Sequence, residues 1–321
     1  MSKSALVIGG LGFIGYHIVK TLHEAGYKVS IGSRSKSESQ YTTVPIINID
    51  LDNMKDSVLE SVLEPFRIII FAGGVDDRNI PSRNQKNYFY KGNVVPCVRL
   101  AEMSRILDIE HIVILGSYFS YFDRKQPEWK MSEKHPYIKS RLLQRIETQE
   151  ASDSNTQVSC LEIPYVFGAS PGSTPLWKPL INYIASSPIV FYTNGGTNIC
   201  AVEQVAAAIR GILKSTELRN HWIVGGDNVS WKKMIAMIAS ALGKKRKVII
   251  VPDFMVKLTG AIAKFYFSVR GKFSGLDAYY FMETQVSETY LDTKESMHML
   301  EYKKMDMDEA IRQTVHACQI N

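Results

Sequence analysis

Three glycines spaced three apart, Gly9, Gly12 and Gly15, stand between the apolar run Ala5 to Ile8 and a stretch where Ile14, Ile18, Leu22 and Ala25 recur at helical spacing. Such a turn is suited to phosphate. Gly9 permits the tight turn, Gly12 lets backbone N–H groups approach a pyrophosphate, and Gly15 lets the new helix pack closely on the strand. Phe13 and Ile14 open that helix, whose first N–H groups and positive dipole end would face the anion. Gly26 then supplies a stop. A glycine turn without a ligand is the alternative, and the order strand, turn, helix argues against it.

A second group bears on which dinucleotide would sit there. The residue near the end of the second strand, which begins at Lys28, faces the adenosine ribose in folds of this kind. A carboxylate there would accept from a 2′-hydroxyl and repel a 2′-phosphate. This chain has Ser33-Arg34, with Lys36 close by and no carboxylate before Glu38. Arginine binds phosphate bidentately and stacks on adenine, so NADP is favoured over NAD. A solvated loop arginine is the alternative.

The elements that must position these residues alternate strand and helix, the pattern of an α/β, Rossmann-like, doubly wound parallel sheet. Val44 to Ile49 reads as a third strand, Val58 to Leu63 as a helix face, and Arg67 to Ala72 as an apolar fourth strand covered on both faces. A helix is predicted over Tyr88 to Leu107 with a kink at Pro96, a fifth strand over Ile112 to Leu115, a helix over Glu133 to Gln149, and a sixth strand over Val158 to Ile163. From Gly168 to Pro179 the chain is rich in Gly, Pro and Ser, a loop that could gate a site. The expected division is a dinucleotide-binding unit, residues 1–165 plus about 189–225. A smaller, mostly helical substrate-binding unit takes residues 166–188 and 226–321.

With 321 residues, 45% of them hydrophobic, the chain can bury a large core and is not a disordered polymer. Its net charge of +6 is spread along the sequence, which suggests anionic small ligands and no nucleic-acid groove. The densest basic run, Lys244 to Lys247, lies between a helix and a strand and reads as a solvated turn. The four cysteines lack zinc spacing, which fits reduced thiols in a cytoplasmic protein and no metal site. No run is long and apolar enough to span a bilayer. Phe254 to Phe273 is apolar and aromatic with interspersed cations; burial against the substrate-binding unit or a partner is expected, a membrane surface being the alternative.

The spacing and wording of Gly9-Gly10-Leu11-Gly12-Phe13-Ile14-Gly15 resemble the extended short-chain dehydrogenase/reductase family. The likeness continues at Pro164-Tyr165-Val166-Phe167-Gly168, Val202-Glu203-Gln204-Val205-Ala206 and Leu291-Asp292-Thr293-Lys294, so it covers nearly the whole chain. The resemblance implies that Asp50 and Leu51 hold the adenine, although Asp50 could equally cap the next helix. It implies that Ala72, Gly73 and Gly74 run beside the cofactor, that Asn93 belongs to the site, and that Pro164 and Val166 flank the nicotinamide carboxamide. A homodimer through the helices carrying Asn93 and Tyr137 is a further implication.

The same family supplies Tyr-x-x-x-Lys and an upstream Ser or Thr for chemistry at a carbonyl. Four-residue spacing puts both side chains on one helical face, so that the cation can favour the phenolate and hold the nicotinamide ribose. Here Tyr137 is followed four residues on by Arg141, and Lys139 is on the wrong face. The serine motif is also displaced. Aligned on Phe122, the catalytic hydroxyl falls on Tyr118, with Ser117 and Ser120 flanking it.

The leading expectation is an NADP(H)-dependent oxidoreductase acting on a carbonyl or hydroxyl of a small, apolar molecule, nearest to the dihydroflavonol-reductase and hydroxysteroid-dehydrogenase branch. The aromatic residues from Tyr118 to Phe122 with Tyr165, Phe167, Trp177 and Tyr183 suit such a substrate, unless they are ordinary core aromatics. A nucleotide-sugar epimerase or dehydratase is the first alternative, weakened because Asn194 to Val202 contains no Lys or Arg. An NADP-binding sensor or assembly protein without turnover is the second, motivated by Arg141 and the displaced serine.

Overall fold

The structure is a computed structural model and describes residues 3–34, 44–85 and 87–320. Its N-terminal half alternates β1 (Ser4–Ile8), α1 (Phe13–Glu24), β2 (Lys28–Ser33), β3 (Ile46–Asn48), α2 (Asp56–Leu63), β4 (Ile68–Phe71), α3 (Tyr88–Met103) and β5 (His111–Ser117). Then come three helices, α4 (Tyr118–Lys125), α5 (Met131–Lys134) and α6 (Pro136–Ala151), followed by β6 (Gln157–Ile163) and β7 (Tyr165–Phe167). The remainder is α7 (Lys178–Ser186), β8 (Ile189–Tyr192), β9 (Gly196–Ala201), α8 (Val202–Lys214), β10 (His221–Ile223), β11 (Asp227–Ser230), α9 (Trp231–Ala241), β12 (Lys247–Ile250), α10 (Asp253–Val269), α11 (Ala278–Gln285), β13 (Glu288–Thr289), α12 (Lys294–Met299) and α13 (Met307–Ile320).

Seven strands form one parallel sheet in the order β10-β6-β5-β4-β1-β2-β3. Alternation along its strands builds two cores. Ala5 and Val7 of β1, Ile68 and Ile70 of β4, and Val113 and Leu115 of β5 face Ile18 and Leu22 of α1 and Val205 and Ile209 of α8. Leu6, Ile8, Ile69, Phe71, Ile112 and Ile114 face Leu59 and Leu63 of α2 and Cys97 and Leu100 of α3. Strand order reverses at β1, so a crevice opens beyond the carboxyl ends of β1 and β4, where ligands bind in sheets of this type.

A second, four-stranded sheet is formed by β7, β9, β11 and β13, with α7, α9 and α13 packed round Phe167, Ile199 and Trp231. Strand β8 pairs in parallel with β12, from Ile189 opposite Lys247 to Tyr192 opposite Ile250. That pairing puts 189–192 outside the main sheet, unlike the grouping expected from sequence, whereas β10 joins it beside β6.

Three expectations need correction. The single helix expected from Glu133 is broken at His135, which stands at φ −124° and ψ 108° because it precedes Pro136, and a residue before proline is pushed out of the helical region. Asp50 does not cap the next helix, whose N-cap is Lys55; its carboxylate accepts from the Asp52 N–H at 3.0 Å and from Asn53 Nδ2 at 2.9 Å. The apolar face of α10 is not buried against the substrate-binding unit, since Val256 and Gly260 alone are buried in that helix. Among the described residues no helix is long and apolar enough to cross a membrane, and no cluster of His, Cys, Asp and Glu could hold a metal.

Candidate active site at the carboxyl end of the sheet

The glycine turn sits at the switch point and leaves no space for side chains. Gly9 has φ +82°, and a Cβ there would lie 2.9 Å from the Ala72 carbonyl. A Cβ on Gly15 would fall 2.2 Å from Gly9 O. Gly12 is the N-cap of α1, contributes no capping side chain, and is followed by no acidic residue in the first turn. The helix dipole is thus directed at the crevice with nothing of the chain's own to neutralise it, a fit for pyrophosphate. Phe13, Ile14 and Ala72 pack against the core cluster to which Val166 belongs, and a Cβ on Gly168 would lie 3.7 Å from the Phe13 ring. Pro164 and Val166 are both buried at this end of β6 and β7.

At the far end of the crevice, β2 closes with Ser33, whose carbonyl accepts from the Ile49 N–H at 2.9 Å. The Arg34 side chain is 78% exposed and stands 3.8 Å from Asp52, a distance too long to hold it. Hydrogen bonds from Asn53 and the Asp52 backbone, with Arg34 nearby, hold the Asp50 carboxyl below the usual range. Leu51 is buried beneath. Lys36 lies outside the described residues.

Beyond β4, Ala72, Gly73 and Gly74 lead to the second group of residues. Gly74 has φ +108°, and its missing Cβ would meet Asn93 Oδ1 at 2.5 Å and Arg141 Nη1 at 3.6 Å. Asn93 is wholly buried. Its Oδ1 accepts from the Val75 N–H at 2.8 Å and its Nδ2 donates to Ser140 Oγ at 3.0 Å, while Ser140 Oγ donates to Tyr137 O at 2.7 Å. Asn93 therefore fastens the β4 loop to α6 and spends its polar atoms there.

Helix α6 presents Tyr137 and Arg141 on one face, with the guanidinium 5.2 Å from the centre of the phenol ring. Arg141 donates to Gln144 Oε1 at 3.0 Å and to the carbonyls of Leu115 and Val75 at 3.4 Å each. Its Nε is buried and has no partner among the described residues. Burial raises the Tyr137 phenol above its ordinary value; the Arg141 charge opposes this, the Asp77 carboxylate adds to it, and hydrogen bonding from Arg141 and Ser117 pulls the other way.

The three hydroxyls singled out in the sequence separate. Ser117 is the N-cap of α4, its Oγ accepting from the Phe119 N–H at 3.4 Å, and its hydroxyl helps to hold the Tyr137 phenol down. Tyr118 turns away, its hydroxyl 2.9 Å from Thr197 Oγ1 and 3.4 Å from Thr289 Oγ1, and burial pushes it up to about 12. Ser120 Oγ is buried and has no hydrogen-bond partner among the described residues. Beneath them the buried Glu162 pairs bidentately with Arg124, which also donates to Ser120 O at 2.9 Å. The aromatic residues mostly pack on one another: Trp177 stacks on Phe167 at 4.5 Å, and Tyr118 contacts Phe119, Phe122 and Tyr165.

Asp77 was not singled out by sequence, yet its charge acts on Tyr118, Tyr137, Tyr165 and Arg141. Burial holds its carboxyl above the usual range, with neighbouring Asp76 adding to the effect. The available signal was a pair of carboxylates in the loop after the fourth strand, where this type of sheet places its sites. Gln144, which orients Arg141, is one turn further along the same helix and carried no such signal.

With this geometry in hand, likeness to known proteins is informative. The model of the NAD dependent epimerase/dehydratase family matches residues 5–225. A sterol-4-alpha-carboxylate 3-dehydrogenase (decarboxylating) of Mus musculus is 23% identical over 235 residues, 70% of this chain, and the match spans 62% of that enzyme's length. Among solved structures, gox2253 superposes with a TM-score of 0.81 at 16% identity, covering 99% of this chain and 98% of the other. A UDP-glucuronic acid 4-epimerase from Bacillus cereus, in complex with NAD, gives 0.70 at 13% identity over 99% of each chain. At these identities the structures attest the Rossmann-like fold.

Proposed function

The chain belongs to the NAD dependent epimerase/dehydratase family, and on that premise we propose that it is an NADP(H)-dependent oxidoreductase acting on a carbonyl or hydroxyl of a small apolar molecule. The observation that carries this reading is the Tyr137 and Arg141 pair on one face of α6, joined to the glycine crevice through Gly74 and Val75. The dinucleotide, when bound, supplies or accepts the hydride. Gly9, Gly12, Gly15, Phe13 and Ile14 would hold its pyrophosphate; Ala72, Gly73, Gly74, Pro164 and Val166 would line its path. Arg34 would bind a 2′-phosphate, with Asp50 and Leu51 near the adenine. The unpartnered Arg141 Nε, aimed from a buried guanidinium, suits a ribose hydroxyl.

Tyr137 holds the proton. With its phenol raised by burial, it is neutral at ordinary pH and can donate to an alkoxide oxygen as charge develops there. Ser117, the one of the three hydroxyls that acts on the Tyr137 phenol, would polarise the carbonyl. Arg141 steadies the phenolate left after proton transfer and cannot itself lose a proton. Tyr118, fastened to Thr197 and Thr289, supports the fold of the corner.

Support for an apolar substrate comes from the absence of Lys and Arg between Asn194 and Val202 and from the apolar residues round Tyr137, including Phe89, Ile138 and Leu276. The mouse relative is by name a sterol dehydrogenase. The sugar-nucleotide epimerase reading is favoured by one observation, the fold shared with UDP-sugar epimerases. A screen of NADPH oxidation across ketones and aldehydes tests the reaction, and titration of both dinucleotides tests the cofactor. NADPH is expected to bind about tenfold tighter than NADH, with Arg34→Ala abolishing the difference. Equal affinities that Arg34→Ala leaves unchanged would refute the NADP assignment. Tight UDP-sugar binding with a dinucleotide that never leaves would favour the epimerase.

A further inference from the structure

We propose that α10 docks in the plane of an anionic lipid surface. Phe254, Met255, Leu258, Ile262, Phe265, Tyr266 and Val269 are all exposed, Phe254, Phe265 and Val269 to 70% or more. At 100° per residue they fall on one face about 120° wide. The helix cannot rotate to hide it. Its opposite face is pressed on α11 so closely that a Cβ on Gly260 would lie 2.5 Å from Ala278 O, with Val256 buried one turn earlier.

Charge selects the occupant. Lys257 and Lys264 border one side of the apolar face and Arg270 the other, followed by exposed Lys272, whereas Asp253 is the helix's one carboxylate. Of the cations flanking the face, Asp277 reaches Lys264 at 2.8 Å and Glu283 stands 3.9 Å from Lys257 while pairing more closely, at 3.0 Å, with Lys134. Arg270 lies 4.5 Å over the Tyr266 ring at the edge of the face and has no carboxylate partner within 4.0 Å among the described residues. A projecting apolar ridge, cationic along both flanks and with tyrosine at its margin, matches the headgroup and acyl boundary of an acidic membrane. Lys247 and exposed Ile250 bound β12, the strand that leads into α10 through Pro252, and the rest of the basic run, Lys244 to Arg246, precedes that strand. Seventeen residues without a spanning pattern lie on such a surface and do not cross it.

The docked helix is continuous with the candidate site. From α10 the chain passes to Gly275, whose carbonyl accepts from the Tyr137 N–H at 3.0 Å, and to Asp277, whose N–H donates to His135 Nδ1 at 3.0 Å. If the oxidoreductase reading above holds, this arrangement sets the reacting corner beside a phase in which an apolar substrate dissolves; the docking itself stands on the helix alone.

The purified full chain, mixed with vesicles of phosphatidylcholine with or without phosphatidylserine and sedimented, tests the proposal. The protein is expected to pellet with the phosphatidylserine vesicles, and less so at high salt. The double variant Phe254→Ser/Phe265→Ser is expected to partition at least about tenfold less, with an unchanged unfolding midpoint. Arg270→Glu should weaken binding to the acidic vesicles only. Protein left in the supernatant with both vesicles, or a double variant that pellets like the parent, overturns the proposal. So does a lipid-free dimer that the double variant turns into monomer, which would assign the face to a second copy. Dinucleotide affinity measured on the same preparations keeps a failure of the oxidoreductase reading distinct from a failure of docking.

Discussion

The glycine crevice and the Tyr137 corner share one end of one sheet, and they are built from different materials. The crevice is backbone: Gly9, Gly12 and Gly15 contribute space and N–H groups, all within seven consecutive residues. The corner is mainly side chains, drawn from four separate segments: Asp77 and the Val75 carbonyl after β4, Ser117 at the end of β5, Tyr137, Arg141 and Gln144 on α6, and the Gly275 carbonyl beyond α10. A backbone site tolerates changes around it and fails when a Cβ enters it. A site of side chains keeps its shape while its electrostatics are retuned, which is how an arginine can stand where the Tyr-x-x-x-Lys pattern that the sequence resembles has lysine.

The largest separation of the two should come from Gly15→Val. Its Cβ would fall 2.2 Å from Gly9 O, backbone that cannot yield cheaply, so dinucleotide affinity is expected to drop by about 100-fold or more. Equilibrium titration by cofactor fluorescence measures it. Affinity within threefold of the parent would mean that the crevice is not where the dinucleotide binds.

Acid should act on the corner. Burial lowers His135 to about 4 from 6.5, and its Nδ1 must stay unprotonated to accept from Asp277. The folded state thus binds fewer protons than the unfolded one, so this contribution is complete above pH 6.5 and is lost as pH falls towards 4. The shift corresponds to about 3 kcal/mol. Unfolding midpoints measured from pH 7 to 4 should fall over that window, and less steeply in His135→Gln. Parallel curves for the two proteins would remove His135 from the account.

A smaller change should follow from Asp77→Asn. Removing a carboxylate that raises the Tyr137 phenol should move the alkaline limb of the pH–rate profile to lower pH, without altering dinucleotide affinity. An unmoved limb would show that Asp77 does not act on Tyr137.

The same contrast governs what could be seen in the sequence. The crevice was legible because its determinants are local: strand alternation, glycine spacing and helical periodicity occur within one turn of chain, and the strand order follows from repeated β and α elements. Tyr137 and Arg141 were legible for the same reason, being four apart on one helix. Asp77, Gln144 and the orientation of Tyr118 were not: Tyr118 is held by Thr197 and Thr289, 79 and 171 residues away, and Asp77 and Gln144 act through neighbours that carry no motif. The exposure of the α10 face was equally hidden. Its composition marked an apolar, aromatic segment with interspersed cations, and nothing local states whether tertiary packing will cover it.

The account's central claim is that Tyr137 transfers the proton. Tyr137→Phe, assayed on the best substrate from the carbonyl screen with the NADPH Kd measured on the same preparation, tests it directly. The rate is predicted to fall by about 100-fold or more while the Kd stays within twofold. A rate retained in Tyr137→Phe with the cofactor still bound would contradict it.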